Sequence, residues 1–592
     1  MFTEERETLL EQMQHVLVDY LETVHTWMNP STGAIEDRRD TVYSENYTAG
    51  AAAVLFASAY SYTEQKKQLN TALQLLRRVQ VRLKDRNAAP FTRMFIYHYG
   101  MMALLMLPET IRDEYKEEFR EDFLNGEPQD CGTINLNCAA LQLGNELFLE
   151  RLGYRKANVA LMAQLIALIE AREHDGFLND AFDFEDQVAF SEQDGMPISY
   201  SAFIMFILTG ILSSVTPWPA DHQVIRGKVE ALIEKGQQWL GHATSFDGTY
   251  AMMERSRHQK FTWGSFIAYQ AYAGMGDQGL FAKAFESWLA YKKEDGTYSI
   301  TPNYLPHELR AGYEWYTLVN CYGILGMTGI AVAERIIRLK QQMAGTNERS
   351  PLPVRNQYMD LRSGYAFIRS GDDFFACNLR MHRGQYSPAL SGFHYRLNGN
   401  KPPLAEPRLN VKRLAAAHLH QGYDLGVWEG FLLRDADGNQ FFPNMTTNPE
   451  VKWIDNGMEM TVQSESVACT KSIQLVDSGI EWRYELRVLR DIVSCEHILP
   501  LLLTDGRHHT AIQRRTAHGW ELSSAGRQYE IICSACDNSI RTPEDVYSNE
   551  NNLSLERSLH SVSGVSASLS LLVSGPLRAG DELAWSTKLV EL

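Results

Sequence analysis

The chain has 592 residues, 44% of them hydrophobic, and a formal net charge of −17. Domains of roughly 100–200 residues would divide this length into about three or four units, fewer where one is a large repeat. The acidic balance excludes a general binder of nucleic acid or of anionic membrane, because its long-range field repels both. The N-terminus, MFTEERETLL, lacks the basic and apolar regions of an export signal. No run approaches the roughly 18 uninterrupted apolar residues of a membrane span. The chain is therefore read as soluble and cytoplasmic.

From residue 5 to about 343 the apolar residues recur at helical spacing. ETLLEQMQHVLVDYL, TAGAAAVLFASAY, LNTALQLLRRV and MFIYHYGMMALL come first. NCAALQLGNELFLERL, NVALMAQLIALIE and SAFIMFILTGIL follow. The pattern predicts about eleven or twelve helices. Asp-Gly pairs punctuate them at Asp175-Gly176, Asp194-Gly195, Asp247-Gly248 and Asp295-Gly296. Short helices with recurrent turns predict repeated helical hairpins closing into an (α/α) toroid over 1–343, with a cleft lined by helix ends and loops. Residues 344–353, AGTNERSPLP, have the small, polar, proline-bearing composition of a linker.

After the linker the period changes to two. YAFIRSGDDFFACNLRMH reads as a hairpin, and SIQLVDSGIEWRYELRV as a later one. The expectation for 354–592 is an antiparallel β-sandwich, which makes the whole a multidomain α+β chain. Eight cysteines are scattered along the sequence, and one CxxC pair, Cys533 and Cys536, lies in a strand-like run. No second pair completes a metal site, so these are read as reduced thiols in a sheet.

One stretch stands out electrostatically. Residues 380–413 carry Arg380, Arg383, Arg396, Lys401, Arg408, Lys412 and Arg413 against Glu406 alone, inside an acidic chain. His382, Tyr386, His394 and Tyr395 are interleaved with these cations. Arginine suits a carboxylate or sulfate because its planar fork makes two parallel hydrogen bonds. Such an island in a β-domain beside a toroid fits β-elimination on a uronic acid. That reaction needs a neutralised carboxylate, a base for the C5 proton and an acid for the leaving oxygen. Tyrosine serves as either, and as a base it needs nearby cations to stabilise the phenolate.

SGYAFIRSGDD followed by FHYRLNGNKPPLAEP resembles the start of the β-domain of heparinase II/III-like polysaccharide lyases. Gly364, Tyr365, Arg369 and Ser370 match that family's G-Y-x-x-x-R-S strand. Asn398, Gly399, Pro402, Leu404 and Pro407 match its N-G-x-P-L-L-x-D-P-G run. Where the family has a His-x-His-x-Asp turn, this chain has Arg383 to Ser387, so Tyr386 or His394 would substitute. TINLNCAALQLGNEL is similar to the family's carboxylate-binding helix, with Asn137 as the matching asparagine and Asn135 nearby. EQDGMPISYSAF looks like the segment that supplies the toroid tyrosine, here Tyr200.

The resemblance implies a lyase that cleaves an acidic oligosaccharide or polysaccharide with no metal or other cofactor. Tyr200 would be base, acid or both, and Asn137 with Arg257 or a β-domain cation would neutralise the carboxylate. Tyr386, His382 or His394 would complete the site from the β-domain. Asn135, Asn46, Tyr47, His98, His258, Arg383, Arg396, Arg408, Trp315 and Tyr316 are candidate substrate contacts, with Trp27 a further stacking platform. Two rival readings stand beside it. Asp175, Asp180, Asp183, Glu185, Asp186 and Asp194 could supply the paired carboxylates of a glycoside hydrolase. The altered histidine turn also suits a protein that only binds acidic glycans.

Overall fold

In a computed structural model of the chain, the structure describes residues 2–37, 45–85, 88–126, 128, 135–180, 198–251, 260–273, 278–307, 318–342, 356–379, 390–406, 429–438, 440–441, 449–516, 518–534 and 560–592. Twelve helices come first among them. They are α1 (Phe2–Trp27), α2 (Thr48–Thr63), α3 (Lys66–Leu83), α4 (Pro90–Met106), α5 (Glu109–Asn125) and α6 (Leu136–Arg151). The series continues with α7 (Val159–Ala171), α8 (Ile198–Val215), α9 (Gln223–His242), α10 (Lys260–Ala273), α11 (Gln278–Leu289) and α12 (Val319–Gln342).

The even-numbered helices pack on one another in order, and α12 returns to α2, closing a ring of six. The odd-numbered helices lie outside it: α1, α3 and α9 pack against both inner helices they connect, and α5, α7 and α11 against the preceding one. Composition decides which layer a helix joins. In α2, α4 and α8 buried residues run almost without a break, whereas α3 and α5 bury only a stripe. The apolar α8 is long enough to cross a membrane, yet 94% of it is buried inside the ring. At the closure α10 meets α12 backbone to backbone: a Cβ on Gly264 would lie 2.1 Å from the Gly326 carbonyl oxygen. The expected toroid is thus present, and its ring is complete.

Between α7 and α8 a two-residue hairpin, β1 (Glu173–His174) and β2 (Phe177–Leu178), turns on Asp175-Gly176, both at positive φ. The remaining strands begin at Gln357, and the expected linker lies outside the described residues. β3 (Gln357–Asp360), β4 (Tyr365–Ser370), β5 (Asp373–Asn378) and β6 (Ser391–Arg396) form a four-stranded antiparallel sheet in chain order. The Asn398-Gly399 turn follows, both residues at positive φ, bridged by Leu397 and Asn400.

A five-stranded sheet orders β17 (His560–Ser561), β18 (Gly564–Ser574), β13 (Ser494–Thr504), β7 (Gly430–Arg434) and β8 (Gln440–Phe441). An eight-stranded sheet orders β14 (Ala511–Arg514), β15 (Gly519–Ser524), β16 (Arg527–Cys533), β19 (Glu582–Glu591), β12 (Gly479–Val488), β11 (Val467–Val476), β10 (Gly457–Gln463) and β9 (Glu450–Ile454). Residues of all three sheets share one core, which includes Trp482, Trp520 and Trp585.

The four-stranded sheet is buried on both faces. Ala366, Ile368, Phe375 and Cys377 face the sandwich core, while Tyr365, Phe367, Phe374 and Ala376 belong to the core of the helical ring. This alternation explains why β4 and β5 read as nearly continuous apolar runs. One cysteine departs from expectation: Cys533, at the end of β16, is disulfide-bonded rather than a free thiol, and its partner lies outside the described residues.

Candidate active site

Hairpin connectivity points every inner helix the same way, and contacts within their first two turns mark the shared end. Tyr47, which precedes α2, stacks on Phe95 of α4 at 4.8 Å between ring centroids. Phe95 stacks in turn on Phe203 of α8 at 5.9 Å. The Tyr47 hydroxyl shares a hydrogen bond with Tyr322 of α12. This end of the ring, its mouth, is where the described starts of the inner helices lie. Asn46 and Tyr47 precede α2, Asn135 and Asn137 open α6, and Tyr200 is the third residue of α8. Arg257 and His258 precede α10 in sequence, and Trp315 and Tyr316 precede α12; all four lie outside the described residues.

The start of α6 is the most fully defined part of the mouth. Asn135 is the N-cap, in extended conformation, and its Oδ1 accepts from the Cys138 backbone N–H at 3.0 Å. Two residues on, Asn137 donates to Asp180 twice: its backbone N–H to Oδ1 at 3.0 Å and its Nδ2 to Oδ2 at 3.3 Å. Asp180 follows the β1–β2 hairpin, so that hairpin brings an acidic side chain to a helix N-terminus, where the dipole favours it. This corrects the role expected of Asn137. Its side-chain donor already faces a protein carboxylate and is not turned toward a sugar carboxylate.

Tyr200 is half-buried. Its neighbour Ser201, at the position where the resembling family has a histidine, accepts from the Leu178 N–H at 3.0 Å. Asn46, at positive φ, accepts from the Thr92 hydroxyl at 3.2 Å. Tyr47 is buried, and burial first, then Tyr322, pushes its hydroxyl well above the ordinary range. Trp27 sits edge-on to Tyr20.

His98 is corrected from a substrate contact to a packed side chain. It lies buried between α4 and α6, its Nδ1 2.9 Å from Asn145 Oδ1 and its ring 4.9 Å from that of Phe148, and burial lowers its pKa to about 4. Sequence reasoning passed over Phe91, an exposed aromatic in the first turn of α4 and 4.7 Å from Phe95. Its position in PFTRMF, directly after the helix-starting proline, was the available signal.

Two members of the basic island, His394 and Arg396, are placed differently from their expectation as the wall of a cleft. His394 and Arg396 project from β6 toward the toroid loop between α9 and α10, and both are buried. Arg396 Nε donates to Asp247 Oδ2 at 2.5 Å, Nη2 to Thr249 Oγ1 at 2.7 Å, and Nη1 to Glu406 Oε1 at 3.2 Å. His394 Nδ1 lies 2.9 Å from Glu406 Oε1, and Nε2 lies 3.1 Å from Thr249 Oγ1. Burial opposes the Glu406 charge, but Lys401, His394 and Arg396 outweigh it and hold the carboxyl well below its usual range. Asp247 is likewise lowered, with Arg396 overcoming burial. His394 and Arg396 therefore clamp the two parts of the chain together.

Arg369, from the matched strand motif, is a second clamp. Its Nη2 donates to the carbonyls of Gly241 at 2.7 Å and His242 at 3.3 Å, and also to that of Thr244, at the C-terminus of α9. Tyr386, His382, Arg383 and Arg408 lie outside the described residues. So do Asp183, Glu185, Asp186 and Asp194 of the acidic cluster; its Asp175 is a turn residue. Among the described residues no group of three His, Cys, Asp or Glu side chains is arranged to hold a metal ion.

No family model matches the chain, and no curated protein matches it. Solved structures do. An α-1,6-mannanase from Salegentibacter sp. aligns at 14% identity and a TM-score of 0.40 over 55% of this chain and 99% of its own. The chondroitin AC lyase of Streptomyces coelicolor A3, in complex with chondroitin sulphate, aligns at 11% identity and a TM-score of 0.49, over 98% of this chain and 79% of its own. A glycosyl hydrolase of family 88 from Bacteroides vulgatus aligns at 9% identity and a TM-score of 0.37, over 55% of this chain and 99% of its own. These are distant likenesses, and the architecture described above rests on the helix and strand contacts of this chain.

Proposed function

We propose that this chain acts on glycans at the mouth of its helical ring, and that the reaction is β-elimination at a uronic acid. The observation that carries the proposal is the position of Tyr200. It is a half-buried hydroxyl in the first turn of α8, between α6 and α10 in the ring, where the inner-helix N-termini converge. Helix N-termini favour an anionic sugar by their dipoles. Tyr200 moves the proton. Arg257 and His258, which precede the next inner helix in sequence, receive the carboxylate, since the Asn137 and Arg396 side chains already face protein carboxylates. The heparinase II/III-like resemblance at Tyr200, Gly364 to Ser370 and Asn398 to Pro407 supports the same reading. The substrate is an acidic oligosaccharide or polysaccharide.

The test is ultraviolet absorbance of purified protein with chondroitin, hyaluronan, heparan, alginate and glucuronan. A C4–C5 double bond absorbs, and Tyr200→Phe should lower its rate of formation by about 10²–10⁴-fold. Product formation at the parental rate in Tyr200→Phe would refute the assignment. A hydrolase is the second reading, favoured by one observation: the Asp180 carboxylate stands at the mouth itself. Release of reducing ends without absorbance, abolished in Asp180→Asn, would establish it instead.

A further inference from the structure

Two amide groups at the start of α6 have their orientation fixed by chemistry, and each leaves one atom over. Asn135 must present Oδ1 to the Cys138 N–H, so its Nδ2 points away from the cap. Asn137 must present Nδ2 to the Asp180 carboxylate, so its Oδ1 points away from Asp180. The usual ambiguity between amide oxygen and nitrogen is thereby removed. Both left-over atoms, Asn135 Nδ2 and Asn137 Oδ1, are buried and without a hydrogen-bond partner. The residues are 3% and 1% exposed, and Asp180 is 2% exposed. Buried polar groups are nearly always paired, and here an unpaired donor and an unpaired acceptor share the first turn of an inner helix.

We propose that the start of α6 is a subsite for the hydroxyls of a sugar ring, with Asn135 as donor and Asn137 as acceptor. A hydroxyl both accepts and donates, so neighbouring sugar hydroxyls answer both atoms, whereas a carboxylate is repelled by Asn137 Oδ1 and by Asp180 behind it. Asp180 is the positioning residue: its charge keeps the Asn137 amide in the accepting orientation. The proposal rests on the mouth being the glycan site, and deepens that reading by separating hydroxyl recognition at α6 from carboxylate recognition elsewhere.

The experiment measures binding by titration calorimetry to Tyr200→Phe protein, which keeps the glycans intact. The probes are chondroitin, hyaluronan, heparan and glucuronan oligosaccharides, each native and with its uronic acids reduced to neutral hexoses. Asn135→Ser retains a capping oxygen and removes only the amide donor, so it spares the helix start. Asn137→Ala removes the acceptor. Each should weaken native and reduced forms by the same factor, about tenfold. Asp180→Asn frees the Asn137 amide to turn and should raise the ratio of native to reduced affinity.

A loss confined to the native forms would overturn the proposal, because it would make α6 a carboxylate site. No loss in either form would also overturn it and leave the two atoms to an internal water. An unchanged ratio in Asp180→Asn would overturn the positioning role. Binding by none of the probes would overturn the subsite, since glucuronate hydroxyls are common to them. Equal losses in a protein that makes no unsaturated product would keep the subsite and remove β-elimination.

Discussion

Arg396→Met tests the clamp between the helical ring and the β-sandwich. Methionine keeps the apolar stem and removes the guanidinium, and with it the bonds to Asp247, Thr249 and Glu406. Glu406, 2% exposed, would then retain His394 and the Lys401 ammonium at 3.8 Å. Truncating one partner of a buried, hydrogen-bonded ion pair costs about 3–5 kcal/mol, because the charge left behind stays desolvated. The chain has two cores, so urea unfolding is followed by tryptophan fluorescence and far-ultraviolet dichroism together, and the first transition is compared. Arg396→Met should lower it by that amount, and adding Asp247→Asn should restore at least about 1 kcal/mol by removing the carboxylate that Arg396 paired. The sign with pH follows from carboxyls held low in the folded state. Their contribution is complete above about pH 4–5 and is lost as pH falls through the folded values, and Arg396→Met should shrink that acid-sensitive part. A cost below about 1 kcal/mol, the size of an exposed pair, would refute the reasoning.

Other outcomes follow from the ring. His98 titrates near 6.5 when unfolded and about 4 when folded, so the unfolded chain binds its proton first. Stability should be full above pH 6.5 and fall by on the order of 3 kcal/mol toward pH 4; His98→Gln should flatten that slope in urea titrations at stepped pH. Gly264→Ala would press a Cβ to 2.1 Å from the Gly326 oxygen and should cost about 3 kcal/mol or more, read as a lowered thermal midpoint. Gly227→Ala, in α9 with nothing within 4 Å, should instead stabilise by about 0.5–1 kcal/mol, and a loss there would refute the packing account. Phe91→Ala should weaken glycan binding in titration calorimetry and lower the thermal midpoint less than Phe95→Ala does, because Phe91 is 38% exposed and Phe95 2%.

The layers of this fold are written in burial patterns that local sequence carries. TAGAAAVLFASA and SAFIMFILTGIL are apolar around the whole helix, so each needs neighbours on every side, and a closed inner ring supplies them. The change to period two near residue 357 is equally local. Partners are not local. Arg396 counted as a free cation because Asp247 lies 149 residues earlier, on a toroid loop with no sequence link to β6. Asn137 matched a carboxylate-binding asparagine because Asp180, 43 residues later, reaches it only through the β1–β2 hairpin. His98 finds Asn145 across a helix pair, 47 residues on.

In each case the residue type was legible and its pairing was not, since burial of a charge or amide is decided by what the tertiary fold brings opposite it. Topology sorts the candidates better than charge does. Those at the mouth directly precede or open an apolar inner-ring helix, a property readable from the sequence once the ring is recognised. His98, His394 and Arg396 lack it, and each is a structural side chain. On that criterion Tyr200 and the asparagines of α6 stand as the residues to mutate first, and His394 and Arg396 of β6 stand as the clamp that holds the sandwich to the ring.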